Sequence, residues 1–156
     1  MTTLERLTTD LTASMKARDA FRTNTLRQAI AAVRAAEKAG TEARELSDDE
    51  VRSVLAAEVK KRRDTAQIYA GAGAGERAQT ETSEADLLET YLPAVVSDRD
   101  LDAVVAGAIE STGASTMKDM GTVMKVATAA ASELGRVDGK VLSQRVRQAL
   151  GGAAAR

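Results

Sequence analysis

The residues best equipped for chemistry in this 156-residue chain are its lysines and arginines. The grouping of most interest follows residue 112, where Lys118, Lys125, Arg136, Lys140, Arg145 and Arg147 recur on two successive helical segments. Residues 117–156 hold seven bases against three acids, a balance of +4. Residues 71–91 hold five acids against one base, −4, in a chain of net charge −1. An ammonium presents a point charge and a guanidinium a planar fork, and both suit phosphate oxygens. Such groups bind an anion; making or breaking bonds needs other equipment. Histidine is absent from the sequence, and with it the commonest general base near neutral pH and the commonest metal ligand. Cysteine is absent too, which excludes disulfides and thiol chemistry.

Other groupings have ordinary explanations. Lys60-Lys61-Arg62-Arg63 is the densest basic run, but Glu58 precedes Arg62 by four residues and Lys60 precedes Asp64 by four. Helical pairs therefore use part of this charge, with Asp64 also beside Lys61. Arg63 is kept as a secondary contact. The run from Gly71 to Gly75 alternates glycine with alanine, yet it follows a helix, lacks a lysine-serine partner and leads into acids. It reads as a flexible turn and not as a phosphate loop. Asp48/Asp49 and Asp98/Asp100 fall in first helical turns, where carboxylates favour the positive end of the helix dipole. Spacing for metal ligands is missing, so no metal or cofactor is expected. Phe21, Tyr69 and Tyr91 are the only aromatics, too few for a base-stacking platform. Any nucleic-acid contact would read backbone and shape.

These side chains need helices to carry them. Ala, Leu, Glu, Arg and Lys dominate, and the single proline is Pro93. Thr2-x-x-Glu5 forms a capping box ahead of Leu4, Leu7, Leu11 and Met15. A second helix covers about 19–39, with Leu26, Ile30, Val33 and Ala36 on one face and Gly40 as its stop. Ser47-x-x-Glu50 opens a long helix to about Tyr69, with Val51, Val54, Leu55, Val59 and Ala66 inward. A fourth spans about 83–91. Pro93 forces Leu92 out of helical geometry and marks a boundary between subdomains 1–92 and 93–150.

Beyond that boundary Ser97-x-x-Asp100 caps a helix with Leu101, Val104, Val105, Ala108 and Ile109 in a regular stripe, ended by Gly113. Ser115 or Thr116 caps the next, which Gly135 closes. On it Met117, Met120, Met124, Ala127 and Leu134 lie near one face, with Lys118, Thr122 and Lys125 nearly opposite. Asp138 caps a last helix to about Leu150. Its Leu142, Val146, Ala149 and Leu150 point one way, and Lys140, Gln144 and Arg147 form an outward stripe. Residues 151–156 are expected to fray. Period-two alternation is not found, so the fold class is all-α without strands. The core is aliphatic, since aromatics make up 2%. The chain start lacks the apolar core of a signal peptide, and no apolar run approaches membrane-spanning length. A cytoplasmic protein that engages no membrane is expected.

Five stretches, in order, carry a resemblance over about residues 4–150. They are Lys60-Lys61-Arg62-Arg63-Asp64, Tyr91-Leu92-Pro93, Thr112-Gly113-Ala114-Ser115, Met117-Lys118-Asp119-Met120-Gly121 and Gly135-Arg136-Val137-Asp138-Gly139-Lys140. Together they resemble the YqeY proteins of the GatB/YqeY family. The resemblance implies two helical subdomains, an N-terminal hairpin or bundle and a C-terminal three-helix bundle similar to the tail domain of GatB. GatB is a subunit of tRNA-dependent amidotransferase, and its tail domain helps hold the tRNA. By position, the resemblance carries Lys118, Lys125, Arg136 and Lys140 over as tail-domain contacts; Arg145 and Arg147 are added from helix geometry. Gly71–Gly75 departs from the more polar segment expected there. Gly113, Gly121 and Gly139 are expected to serve as a C-cap, a close helix approach and a turn.

Three functional expectations follow. The first is a non-catalytic module that binds tRNA or another structured RNA, accessory to tRNA-dependent amidation. The second is an adaptor that docks a protein partner in that process. The third is the activity the family label would carry, a carbon–nitrogen ligase with glutamine as amido-N-donor. The third lacks a recognisable nucleophile and activator.

Overall fold

In the computed structural model, residues 1–154 are described, and they form seven α-helices and one short 3-10 turn. Strands are absent among them, apart from one isolated parallel bridge between Val95 and Arg136. The all-α expectation holds. Backbone packing divides the chain into two compact units, Met1–Leu92 and the residues from Pro93 onward.

The first unit contains α1 (Thr3–Lys16), α2 (Ala20–Glu37), α3 (Asp48–Gly71) and α4 (Gly75–Glu89). Capping residues set the starts. Thr2 and Ser47 each complete a reciprocal capping box, with Glu5 and Glu50 respectively. Asp19 accepts from the Arg22 N–H to open α2. The long pair α3 and α4 forms the main hairpin, and α1 and α2 pack beside it. Leu7, Leu26, Ala29, Leu55, Val59, Ala85, Leu88 and Tyr91 fill the core. Burial, followed by a hydrogen bond from the Tyr91 hydroxyl to Asp10 (2.5 Å), pushes the Tyr91 phenol above its ordinary range.

Two boundaries here differ from expectation. Helix α4 begins at Gly75, eight residues before position 83, so the glycine-alanine run is a tight connection with Gly73 at φ +75°. The polar stretch 75–82 shows no apolar stripe, which hid it. Packing against α3 holds it as helix, and propensity alone is a weak guide. Helix α2 ends at Glu37 with Lys38 as its right-handed cap, so Gly40 is not its stop.

The second unit contains α5 (Asp98–Thr112), the 3-10 turn Met117–Asp119, α6 (Met120–Leu134) and α7 (Gly139–Ala154). Ser97 accepts from the Asp100 N–H at the start of α5, and Gly113 ends that helix in the left-handed conformation at φ +66°. Leu101, Val105, Ala108, Val123, Ala127, Ala131, Leu142, Val146 and Leu150 form the core, closed by Val96. Small alanines on α6 face large aliphatics on α5 and α7, so three helices approach closely without aromatic side chains.

The expected inward face of α6 holds in part, since Ala127 is in the core and Met120 and Met124 pack against it. Val123, Ala127 and Ala131 are the buried positions, while Met117 and Leu134 are exposed and Met120 and Met124 are half-buried. Met117 belongs to the 3-10 turn, whose three residues per turn break the α-helical phase that the sequence pattern assumed. Helix α7 continues through Ala154, across Gly151 and Gly152 and into the stretch expected to fray. Residues 155 and 156 of that stretch lie outside the described residues. Nothing lies within 4 Å of a side chain placed at Gly121 or Gly139. Gly121 makes no close approach, and Gly139 is the first residue of α7 and not part of a turn.

Candidate nucleic-acid interface

Local backbone bonds place Lys118 and Lys140 at the starts of their elements. Lys118 projects from the 3-10 turn, where its N–H donates to Thr116 Oγ1 at 3.3 Å. The adjacent Asp119 carboxylate accepts from the N–H groups of Ser115 (3.0 Å) and Thr116 (3.2 Å). Those two bonds, Ser115 first, hold its carboxyl below the usual range. Asp119 thus spends its charge on the turn. The turn itself rests against both α6 and α7.

Lys125 is exposed on α6, two residues past buried Val123 and two before buried Ala127, on the side of the helix away from the core. On α7, Lys140 and Arg147 are both exposed, as is Gln144 between them. Seven residues are close to two full turns, so these two cations share a face, about 10 Å apart along the axis. The Lys140 N–H donates to Asp138 Oδ1 at 2.8 Å, which starts the helix and aims this face.

The remaining two arginines have different surroundings. Arg145 forks onto Asp98 (2.7 Å) and Asp102 (2.5 Å) of α5, and its side chain is only 25% exposed. Helix geometry placed Arg145 near the outward stripe, but the two carboxylates one helical turn apart on α5 take both arms of its guanidinium. It clamps α7 to α5 and presents no fork outward. Arg136 is half-buried. Its N–H donates to the Ala94 carbonyl (3.0 Å) and its carbonyl accepts from the Val96 N–H (2.9 Å). Gly135 permits this junction: a Cβ there would sit 2.4 Å from the Ala94 oxygen.

Lys118, Lys125, Lys140 and Arg147 therefore form the exposed set, and among the described residues no carboxylate lies within ion-pair distance of any of them. Such groups can receive phosphate oxygens without first giving up an internal partner. Sequence spacing missed the Arg145 clamp, although Asp98 and Asp102 stand at i and i+4, the separation that lets one fork meet both. It also missed the Ala94–Arg136 junction, for which Gly135 was a signal read only as a helix stop.

Arg63, the secondary candidate in the first unit, bonds to Asp86 (2.9 Å) and to Glu89 across the α3–α4 hairpin. Those carboxylates, Asp86 first, raise the guanidinium above its ordinary value. Arg62 beside it is 5% exposed and meets Glu58, Glu84 (3.2 Å) and Gln28 (2.8 Å). Lys60 pairs with Asp64 at 2.9 Å. The expected pairs Glu58–Arg62 and Lys60–Asp64 are present, and the run is further spent on α2 and α4. Arg63 is committed to α4 and offers no free fork for a secondary contact.

Among the described residues, no group of three or more Asp or Glu could hold a metal ion. No helix is long and apolar enough to cross a membrane. A family model described as Yqey-like protein matches residues 4–150. The comparison with curated proteins finds no match.

Proposed function

From the premise that the chain belongs to the Yqey-like family, we propose that it is a non-catalytic RNA-interaction module, accessory to tRNA-dependent amidation, that docks a structured RNA on its C-terminal unit. The observation that carries this reading is the exposure of Lys118, Lys125, Lys140 and Arg147, with no carboxylate partner among the described residues, on the turn and two helices of one small bundle. Exposed cations on a helical surface suit a phosphate backbone, where contacts add up through counterion release and need no enclosed pocket. Core residues on the other sides of α6 and α7 keep the backbone rigid beneath these cations. The amidation link rests on the resemblance to the GatB tail domain.

Titration of the purified chain against total tRNA at several salt concentrations tests the reading. Charge reversal of Lys118, Lys125 and Lys140 to Glu is expected to weaken binding at least tenfold and to flatten the slope of log K against log salt by about three. Unchanged affinity and slope would remove the surface from consideration. An adaptor role draws on a separate observation. Val95 and Leu134, 60% and 58% exposed, stand at the Ala94–Arg136 junction, where an apolar partner surface could cover them. Nuclease-resistant capture of a protein partner, lost on substituting Leu134 by Ser, would favour that role over RNA binding.

A further inference from the structure

The corner between α1 and α2 carries a second basic cluster. Residues 16–27 hold Lys16, Arg18, Arg22 and Arg27 against Asp19, four bases to one acid, and all four cations are exposed. Elsewhere in the first unit the arginines are occupied. Arg34, Arg44, Arg52, Arg62 and Arg63 sit on carboxylates, and Arg6 and Arg77 lie over the rings of Tyr91 and Tyr69. Arg18 and Arg27 meet neither kind of partner among the described residues. Asp19, the acid next in sequence, turns its carboxylate to the Arg22 N–H at 3.0 Å.

Arg18 and Arg27 come from different elements and flank one open hollow of about 390 Å³, lined also by Asn24, Thr23 and Met15. The Thr23 hydroxyl is tied to Ser14 Oγ at 2.9 Å, which fixes the α1–α2 crossing under the hollow. Arg18 has φ +57° and is the only non-glycine residue with positive φ among those described. A side chain larger than hydrogen is disfavoured there, so glycine would suit the backbone better than arginine does. The guanidinium is kept at a conformational cost that the fold does not repay with any internal bond.

We infer that this hollow is a second phosphate-backbone contact for RNA, with Arg18 and Arg27 as its forks and Asn24 as a polar side chain in the same lining. This rests on the RNA reading of the preceding section. The hollow is open on its solvent side, so it admits a continuous polyanion, and paired forks favour phosphate over isolated carboxylate.

The test is the full chain with Arg18→Gly and Arg27→Gln, titrated with total tRNA at several salt concentrations beside K118E/K125E/K140E. The expected result is an affinity loss of about tenfold and a salt slope flatter by about two. R18G alone is expected to raise Tm while weakening binding, a combination that a purely structural arginine would not give. If R18G/R27Q binds as the parent does while the C-terminal reversal weakens binding, the inference fails and the proposed function stands. If only R18G/R27Q weakens binding, the inference stands and the C-terminal surface fails. A parent chain that binds no tRNA overturns both. Saturation of the hollow by inorganic phosphate, with tRNA affinity untouched in R18G/R27Q, would assign it to a small phosphate and overturn the RNA contact.

Discussion

The basic run on α3 and the second unit use positive charge in opposite ways. In the run, the two arginines are spent inward: Arg62 is nearly buried among Glu58, Glu84 and Gln28, and Arg63 reaches across to Asp86 and Glu89. In the second unit, three lysines and Arg147 face solvent with no carboxylate partner among the described residues, and Arg145 forks onto two carboxylates. The difference teaches that local density of charge is a poor index of a binding surface. The densest basic run in the chain serves as an internal fastener, because a planar fork meets several acceptors at once at low entropic cost. Lysine's flexible stem and hydrated head stay outside, where an external anion can meet them.

Substitution at Arg62 should break this contrast most severely. Arg62→Ala leaves Glu58 and Glu84 without their shared cation in a largely dry setting, and is expected to cost about 3–5 kcal/mol in chemical denaturation. Combining Arg62→Met with Glu58→Gln and Glu84→Gln should recover much of that loss, since no unpaired charge remains. A loss below about 1 kcal/mol for the single change would mean that Arg62 is no fastener.

Gly135→Ala comes next. Its methyl would collide with the Ala94 carbonyl, a backbone atom that cannot swing aside. A cost of about 1–3 kcal/mol is expected in thermal or urea unfolding. Gly121→Ala is the control: it meets nothing within 4 Å, and in a helix it should be neutral or stabilising.

A smaller effect sharpens the comparison within the second unit. Arg145→Gln should lower stability by about 1 kcal/mol or less, because Asp98 and Asp102 are largely exposed, with little change in tRNA affinity. Lys140→Glu should do the reverse, leaving the unfolding midpoint in place while weakening tRNA binding. Equal behaviour of the two variants in both assays would erase the distinction between clamp and contact.

The subtlest expectation is in acid. Glu50 is held at about pKa 2, first by the Arg44 side chain and then by the Ser47 N–H. Its folded value lies below its ordinary value of 4.5, so the stabilisation is complete above that value. It fades as pH falls toward about 2, when the folded carboxylate too takes a proton. Unfolding midpoints followed by circular dichroism between pH 6 and about 2 should fall less steeply for Glu50→Gln than for the parent. Parallel curves would show that the capping box at Ser47 carries no pH dependence.

How much was legible in the sequence follows from the range of each interaction. Capping boxes at Thr2 and Ser47, the caps at Ser97 and Asp138, and the left-handed stop at Gly113 are contacts within a few residues, and each was read correctly. The helical face of α7 was legible for the same reason, since its 3.6-residue period acts within the element itself. Helix α4 from Gly75 to position 82 was not, because its stability comes from α3 and not from its own composition. The inward face of α6 was legible only in part, because Met117 belongs to a three-residue turn of different pitch.

By itself the sequence determined an all-helical chain without cysteine or histidine, the starts of most of its helices, and a positive excess after residue 116. Tertiary structure alone decided which cations are taken up by internal partners. Arg63 and Arg145 read as surface contacts until partners 23 to 47 residues away closed on them. Arg18 and Arg27, unremarked in the linear order, were drawn to one hollow by the α1–α2 turn. Local hydrogen bonds are written into neighbouring residues, whereas the fate of a charged side chain depends on what folding brings beside it.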